Sequence, residues 1–282
     1  MLKPVEIKIS IVIFDAEIDE VFECLSSLMA AIDVLDLAQR GRASGRVILI
    51  NNSYHRLISP DMFEELPKAF GERNFGLDII QGHGNIGYGS GHNLTINAEY
   101  RFQHQYHIFM NSDVILDENA LLEGITMLEA EQRYAMISPS AVNMSDEKQY
   151  LCKRQPSLLI FLLRGLRLDW INSIFKNRIA AYEMRDLSES ITSEGILIAS
   201  GCFMFCRSSA VAQIEGFDER FFLYFEDFDF SLRLRKVGEI VYAPSVKIKH
   251  FGGNASRKGA QHFIYFCTSA LKFFRKHGWK WV

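Results

Sequence analysis

Apolar and polar positions along the chain follow two alternating rhythms. Ile7 to Ile13 is a β-branched run of the kind that forms a strand buried on both faces. Val21, Leu25, Leu28, Ile32 and Leu35 then recur at three- and four-residue steps, which puts them on one helical face. Arg46 to Ile50 predicts a second strand, ending in the polar turn Asn51-Asn52-Ser53. Leu77 to Ile80 predicts a third, leading into a glycine-rich segment. A helix from about Asn93 to Phe102 and a strand from Tyr106 to Met110 complete the first half. Such alternation specifies a mostly parallel sheet flanked by helices, an α/β fold whose ligands bind at the carboxyl ends of the strands. The polar clusters of this half fall there.

The second half is less regular. Residues 141–195 read as an insertion. Within it, positions 158–175 carry a broad apolar face broken by Arg164, Arg167 and Asp169. That face suits a core or dimer-interface helix, or one lying at a membrane interface beside a lipid-linked acceptor. Strand patterns return at Ile196–Cys206 and Glu239–Tyr242, with a helix at about Asp229–Val237. The tail, KFFRKHGWKWV, is basic and aromatic and compatible with anionic lipid.

Composition narrows the class. With 282 residues, 48% hydrophobic and 23% charged, the chain is long enough for a substantial core. A net charge of -3 offers no field for nucleic acid. The five cysteines are dispersed, without CxxC or zinc spacing, and read as reduced thiols. The first apolar run is too short for a signal peptide, and no stretch reaches the about eighteen apolar residues of a spanning helix. A cytoplasmic protein, in peripheral contact with membrane at most, is the expectation.

Four clusters carry candidate chemistry. Gly84-Asn85-Ile86-Gly87-Tyr88-Gly89-Ser90-Gly91-His92-Asn93 lets backbone approach a ligand closely, or forms a tight turn. Asn111-Ser112-Asp113 follows an apolar strand. Its carboxylate is a hard ligand suited to magnesium or manganese, and alternatively an Asx-turn or helix cap. In the run from Gly216 to Asp229, the acids Glu226, Asp227 and Asp229 sit among phenylalanines and tyrosine. They either favour a helix N-terminus or are raised in pKa towards a useful base. His250 is a nitrogen ligand for the metal or an ordinary surface or core histidine.

In this order the clusters resemble the inverting family 2 glycosyltransferases of GT-A fold, and within them the rhamnosyltransferase-like branch of bacterial polysaccharide assembly. The resemblance covers about residues 5–255. Its most specific part is ASGCFMFCR (199–207) followed by GFDERFFLYFEDFDFSLRLRKVG. It implies one catalytic domain over 1–255, divided into a nucleotide-sugar half (1–115) and an acceptor half (116–255), then a helical tail (256–282). It implies that Asn51, Asn52, Asn85, Gly87, Tyr88, Asn93, Asn111 and Ser112 line the donor site, Asn51 standing where many members have an aspartate. Asp113 and His250, with Asn111, are the implied ligands of a divalent Mg2+ or Mn2+. Asp227 is the implied base, with Glu226 and Asp229 orienting the acceptor. The expected reaction is a single inverting displacement, in which Asp227 takes the acceptor proton and the cation balances charge on the leaving diphosphate. The expected partners are a dTDP- or UDP-sugar, with dTDP-rhamnose preferred, a saccharide or lipid-linked saccharide acceptor, and, as a candidate assembly, a second copy of the chain in a homodimer. Another donor, such as UDP-galactofuranose, would use the same machinery. A catalytically silent nucleotide-binding module is the alternative outside enzymes. A dinucleotide dehydrogenase is excluded, because no Gly-x-Gly-x-x-Gly follows the first strand.

Overall fold

A computed structural model of the chain describes residues 4–58, 65–96, 104–166, 174–251 and 259–281. The strands are β1 (Val5–Ile13), β2 (Ala43–Asn51), β3 (Phe75–Ile80), β4 (Tyr106–Asn111), β5 (Val114–Leu116), β6 (Tyr134–Val142), β7 (Lys148–Gln149), β8 (Cys152–Lys153), β9 (Ile198–Ala199), β10 (Phe203–Arg207) and β11 (Glu239–His250). The helices are α1 (Ile18–Ala38), α2 (Glu65–Gly71), α3 (Tyr88–Asn93), α4 (Ala120–Ala130), α5 (Leu158–Leu166), α6 (Lys176–Tyr182), α7 (Ser208–Gln213), α8 (Glu226–Leu234) and α9 (Ala260–His277).

One large sheet runs β3-β2-β1-β4-β10-β6-β11-β5, with β7 added to β6. Strands β3, β2, β1 and β4 are parallel, whereas β10 lies antiparallel to both β4 and β6. The α/β architecture expected from the sequence is therefore present, with one reversed strand in the middle of the sheet. Register matters for function. Ile13 pairs with Asn51 and Val12 with Asn111, so two polar strand ends emerge on either side of the end of β1.

The α1 stripe is sealed against this sheet: Val21, Leu25, Leu28, Ile32 and Leu35 are buried, joined by Cys24 and Ala31. At about 1.5–3 kcal/mol for each large aliphatic side chain, that face alone accounts for the docking of the helix. The odd positions of β1 (Val5, Ile7, Ile9, Ile11, Ile13) join the same core. Its opposite face departs from the expectation of apolar burial on both sides. Lys8 and Ser10 are buried there, and Lys8 Nζ donates to the Thr95 carbonyl at 2.6 Å. Ser10 Oγ lies 2.8 Å from His92 Nδ1 and 3.1 Å from His107 Nε2, so hydrogen bonds satisfy the polar face.

Several predicted boundaries shift. The helix expected at 93–102 begins at Tyr88, inside the glycine-rich run, and ends at Asn93; 97–102 lie outside the described residues. The helix expected from Asp229 starts at Glu226. The strand expected at 196–206 is broken at Ser200-Gly201-Cys202 into β9 and β10. Glu239–Tyr242 and Val246–Lys249 belong to one long strand with a register shift between Ala243 and Lys247. Of the apolar stretch 158–175, α5 covers Leu158–Leu166. Its Ile160 and Leu163 are buried against Tyr182 of α6, a core-packing use of that face, while 167–173 lie outside the described residues. Among the described residues, no helix is long and apolar enough to cross a membrane.

Candidate active site

The glycine-rich segment is built to bring backbone close. Gly87 has φ 92°, and a β-carbon there would lie 2.3 Å from the Phe222 carbonyl oxygen. Only glycine meets both demands. Asn85 Oδ1 accepts the Gly87 N–H at 3.0 Å, and Asn52 Nδ2 donates to the Gly87 carbonyl at 3.0 Å. Asn52 Oδ1 also faces His83 Nε2 at 2.9 Å. Asn51 donates to the Arg56 carbonyl and to Gln81 Oε1, and accepts from the Ser53 N–H. These amides shape the loops around the strand ends. Tyr54, 66% exposed, lies across Gly84, where an added β-carbon would meet its ring at 2.5 Å.

The base candidate lies at a different kind of corner. Tyr224 and Phe225 have φ of 65° and 66°, consecutive left-handed residues without a glycine, and they turn the chain into α8. Glu226 and Asp227 thus enter the first turn of that helix, at its positive end. Asp227 Oδ2 accepts the Gly201 N–H at 3.0 Å and Oδ1 accepts the Phe228 N–H at 2.9 Å. The Tyr88 hydroxyl donates to the carbonyl of the same Gly201, so one residue joins the glycine-rich segment to the acid. A side chain at Gly201 would press on Tyr88 at 3.1 Å and on Asp227 at 3.3 Å.

Both acids open on a cavity of about 330 Å³, walled by Ile160, Phe161, Tyr224, Phe225, Phe228 and Phe266, with Lys153 and Tyr150 on its polar side. Glu226 Oε2 is buried without a hydrogen-bond partner. Burial and the neighbouring Asp227 charge push the Glu226 carboxyl well above the usual carboxylate range. Burial also raises Asp227, but the Gly201 and Phe228 amides and the Lys153 charge pull it back. The two carboxyls are thus set apart by their partners: two backbone N–H groups and the Lys153 charge favour the ionised form of Asp227, and no hydrogen-bond partner reaches Glu226 Oε2. The Tyr88 phenol feels Glu226, Asp227 and Asp113 as well as its own burial, and is raised well above its ordinary value. Cys202, next to Gly201, is pushed up to about 12 by burial, which leaves it a poor nucleophile.

Asp113 follows β4, and the first residue of β5 after it, Val114, pairs with His250 at the end of β11. This antiparallel pairing sets His250 Nε2 3.4 Å from Asp113 Oδ1. His250 Nδ1 lies 2.8 Å from Gln149 Oε1, an acceptor, while Gln149 Nε2 donates to the His250 carbonyl at 2.9 Å. The imidazole thus carries its proton on Nδ1 and, when neutral, points the Nε2 lone pair at the carboxylate. Asp113 Oδ1 is buried with no hydrogen-bond partner. Burial acts to raise Asp113, but His250 and the Asn111 amide outweigh it and hold the carboxyl below its usual range. A hard carboxylate oxygen and a borderline imidazole nitrogen facing each other fit a divalent cation, a transition ion such as Mn2+ better than Mg2+. Among the described residues no group of three or more His, Cys, Asp or Glu side chains surrounds such a position, so further ligands would have to come from substrate or water.

Two candidates are placed elsewhere. Asn93 spends its amide on the Phe217 backbone, donating to the carbonyl at 2.8 Å and accepting the N–H at 2.9 Å, and it does not line the cavity. Asp229 is fully buried, paired to Arg233 at 2.7 Å, Lys276 at 2.5 Å and His277 at 2.7 Å. It anchors α9 to α8 and has no oxygen left for an acceptor. Lys153 and Gln149 carry no motif in the sequence; only the pairing of β8 with β9 and of β7 with β6 brings them to the site.

No family model matches the chain. Over 219 residues it is 28% identical to the rhamnosyltransferase WbbL of Escherichia coli (strain K12), covering 73% of this chain and 76% of that protein. It is likewise 28% identical over 228 residues to an N-acetylglucosaminyl-diphospho-decaprenol L-rhamnosyltransferase of Mycobacterium tuberculosis (strain CDC 1551 / Oshkosh), covering 76% of this chain and 72% of the relative. Among solved structures, the mannosyltransferase PcManGT from Pyrobaculum calidifontis, in complex with GDP-Man and Mn2+, superposes with a TM-score of 0.57 at 12% identity. That match covers 94% of this chain, and the chain spans 64% of the mannosyltransferase's length. The fold is GT-A, and the relatives agree with the resemblance drawn from the motifs: a rhamnosyltransferase-like glycosyltransferase.

Proposed function

We propose that the chain is a metal-dependent inverting glycosyltransferase that moves L-rhamnose from dTDP-rhamnose to a lipid-linked saccharide during assembly of a cell-surface polysaccharide. The observation that carries this reading is the Glu226–Asp227 pair, which opens on a cavity and whose partners differ, two backbone N–H groups reaching Asp227 and none reaching Glu226 Oε2. Asp227, the ionised member, accepts the proton of the acceptor hydroxyl as that oxygen bonds to the anomeric carbon. The bond from that carbon to the donor diphosphate breaks on the opposite face, so configuration inverts and no enzyme-bound sugar forms. Glu226, still protonated, donates a hydrogen bond to the acceptor. The backbone around Asn85 and Gly87, shaped by Asn51 and Asn52, cradles the donor, and Tyr54 offers a face for the base. Asp113 and His250, with Asn111 beside them, would hold Mg2+ or Mn2+, which when bound supplies positive charge against the leaving diphosphate.

The lipid-linked acceptor is supported by the mycobacterial relative, whose name carries a saccharide on diphospho-decaprenol. It is also supported by the cavity, where aromatic walls meet the Lys153 cation. The test is purified protein against dTDP-, UDP- and GDP-sugars, with and without Mn2+, and a saccharide-diphospholipid analogue. The expected result is metal-stimulated transfer of rhamnose with inverted anomeric configuration. Retained configuration, or turnover unaffected by chelation, overturns the mechanism, and preference for another donor overturns the sugar.

A further inference from the structure

Phe161 of α5 and Phe266 of α9 wall the cavity together, their rings stacked at 5.0 Å and 8°. The outer faces of the same two helices are apolar without being covered. On α9, Phe263, Ile264 and Leu271 are 58%, 57% and 47% exposed; Ile264 and Leu271, seven residues apart, share a line along the helix, next to the line on which Phe263 precedes the buried Ala270 and Phe274. On α5, Leu162 is 51% exposed. Beyond α9 come Trp279 and Trp281, 46% and 72% exposed, and the Leu158 N–H donates to the Lys280 carbonyl at 2.7 Å, which ties this end to α5. The apolar face that docks α9 on the protein thus extends beyond its buried residues onto an uncovered flank.

The charges around that uncovered flank have one sign. Residues 259–281 contain Lys272, Arg275, Lys276 and Lys280 and no aspartate or glutamate, in a chain whose net charge is -3. Lys276 is used by Asp218 and Asp229. Arg275 and Lys280 are exposed, on or just beyond the helix that carries the stripe. Tryptophan and phenylalanine interleaved with lysine and arginine, on a helix that does not span, is the composition that settles among the headgroups of an anionic bilayer. A second copy of the chain would bring the same positive charges against this face, so charge complementarity favours lipid.

We propose that the outer faces of α5 and α9 with the Trp279–Trp281 end form a contact surface for an anionic phospholipid bilayer. The cavity that Phe161 and Phe266 of the same two helices wall then lies beside the headgroups. The cavity's role here rests on the acceptor reading above, but the contact itself is tested without any acceptor. The full chain is sedimented with phosphatidylcholine vesicles containing or lacking phosphatidylglycerol, and tryptophan emission is followed. Binding to the anionic vesicles alone, weakened by salt and accompanied by a blue shift, is expected. The Phe263→Ser/Ile264→Ser and Arg275→Glu/Lys280→Glu variants should each lose at least about ten-fold in vesicle affinity with unchanged melting temperature. Transfer to a water-soluble acceptor should be unchanged in both.

Equal binding by wild type and variants, or no binding to anionic vesicles, overturns the proposal. So does a dimer that the same substitutions dissolve in the absence of vesicle binding, which would give the face to a second copy. Vesicle binding in a protein that transfers no sugar would leave this surface standing and overturn the catalytic reading instead.

Discussion

Asp227 and Asp229 sit on the first turn of α8, and their surroundings have little in common. Asp227 opens on the cavity, takes two backbone N–H groups, and is raised by burial. Asp229 faces inward, where burial alone would raise it, but His277, Lys276 and Arg233 outweigh burial and hold it below the usual range. The helix N-terminus is shared, so it cannot be what separates them. The difference lies in which partners reach each side chain. A carboxylate given two cations and a histidine nitrogen is an anchor, and one given backbone dipoles and the Lys153 charge keeps the capacity to take a proton.

Replacement of Asp227 tests one side of that contrast and should have the largest effect. Asp227→Asn is expected to lower the turnover of transfer about 10²- to 10⁴-fold, as loss of a general base does, with donor affinity by calorimetry unchanged. Replacement of its neighbour should act on folding. Asp229→Ala strands buried positive charge and should cost about 3–5 kcal/mol of stability in denaturant titration. The sign with pH follows from its depressed value. The stabilisation is present above the ordinary aspartate range and is lost as pH falls through the lower folded pKa. A variant that melts normally but transfers no sugar would erase the distinction between the two acids. A smaller effect is expected at the metal pair. Gln149→Leu removes the acceptor that fixes the His250 ring and should weaken Mn2+ binding about 10- to 100-fold, read by calorimetry on the protein without donor.

Periodicity made much of this legible. The α1 stripe and the β1 run are buried as their spacing predicts, because a single apolar face repeating every third or fourth residue has few other solutions. The buried polar face of β1 was not legible. Lys8 and Ser10 become acceptable in the interior only once Thr95, His92 and His107 are in place to bond them. The motif order brought Asp113, His250 and Asp227 to attention, but neither Asp113's neighbour nor Asp227's environment is encoded locally. Asp113 meets His250 because β5 pairs with β11, and Gln149 arrives because β7 pairs with β6. Asp229 looks like Asp227 in the sequence; its three partners, Arg233, Lys276 and His277, come from one turn along α8 and from the far end of α9.

The division of protons between Glu226 and Asp227 is the centre of this account, and the pH dependence of kcat/KM for wild type and Glu226→Gln tests it most directly. Wild type should show a bell, with activity lost on the acid side as Asp227 protonates and on the alkaline side as Glu226 ionises. In Glu226→Gln the acid limb should remain and the alkaline limb should disappear. An alkaline limb unchanged by that substitution, or an acid limb lying in the ordinary aspartate range or below, would contradict it.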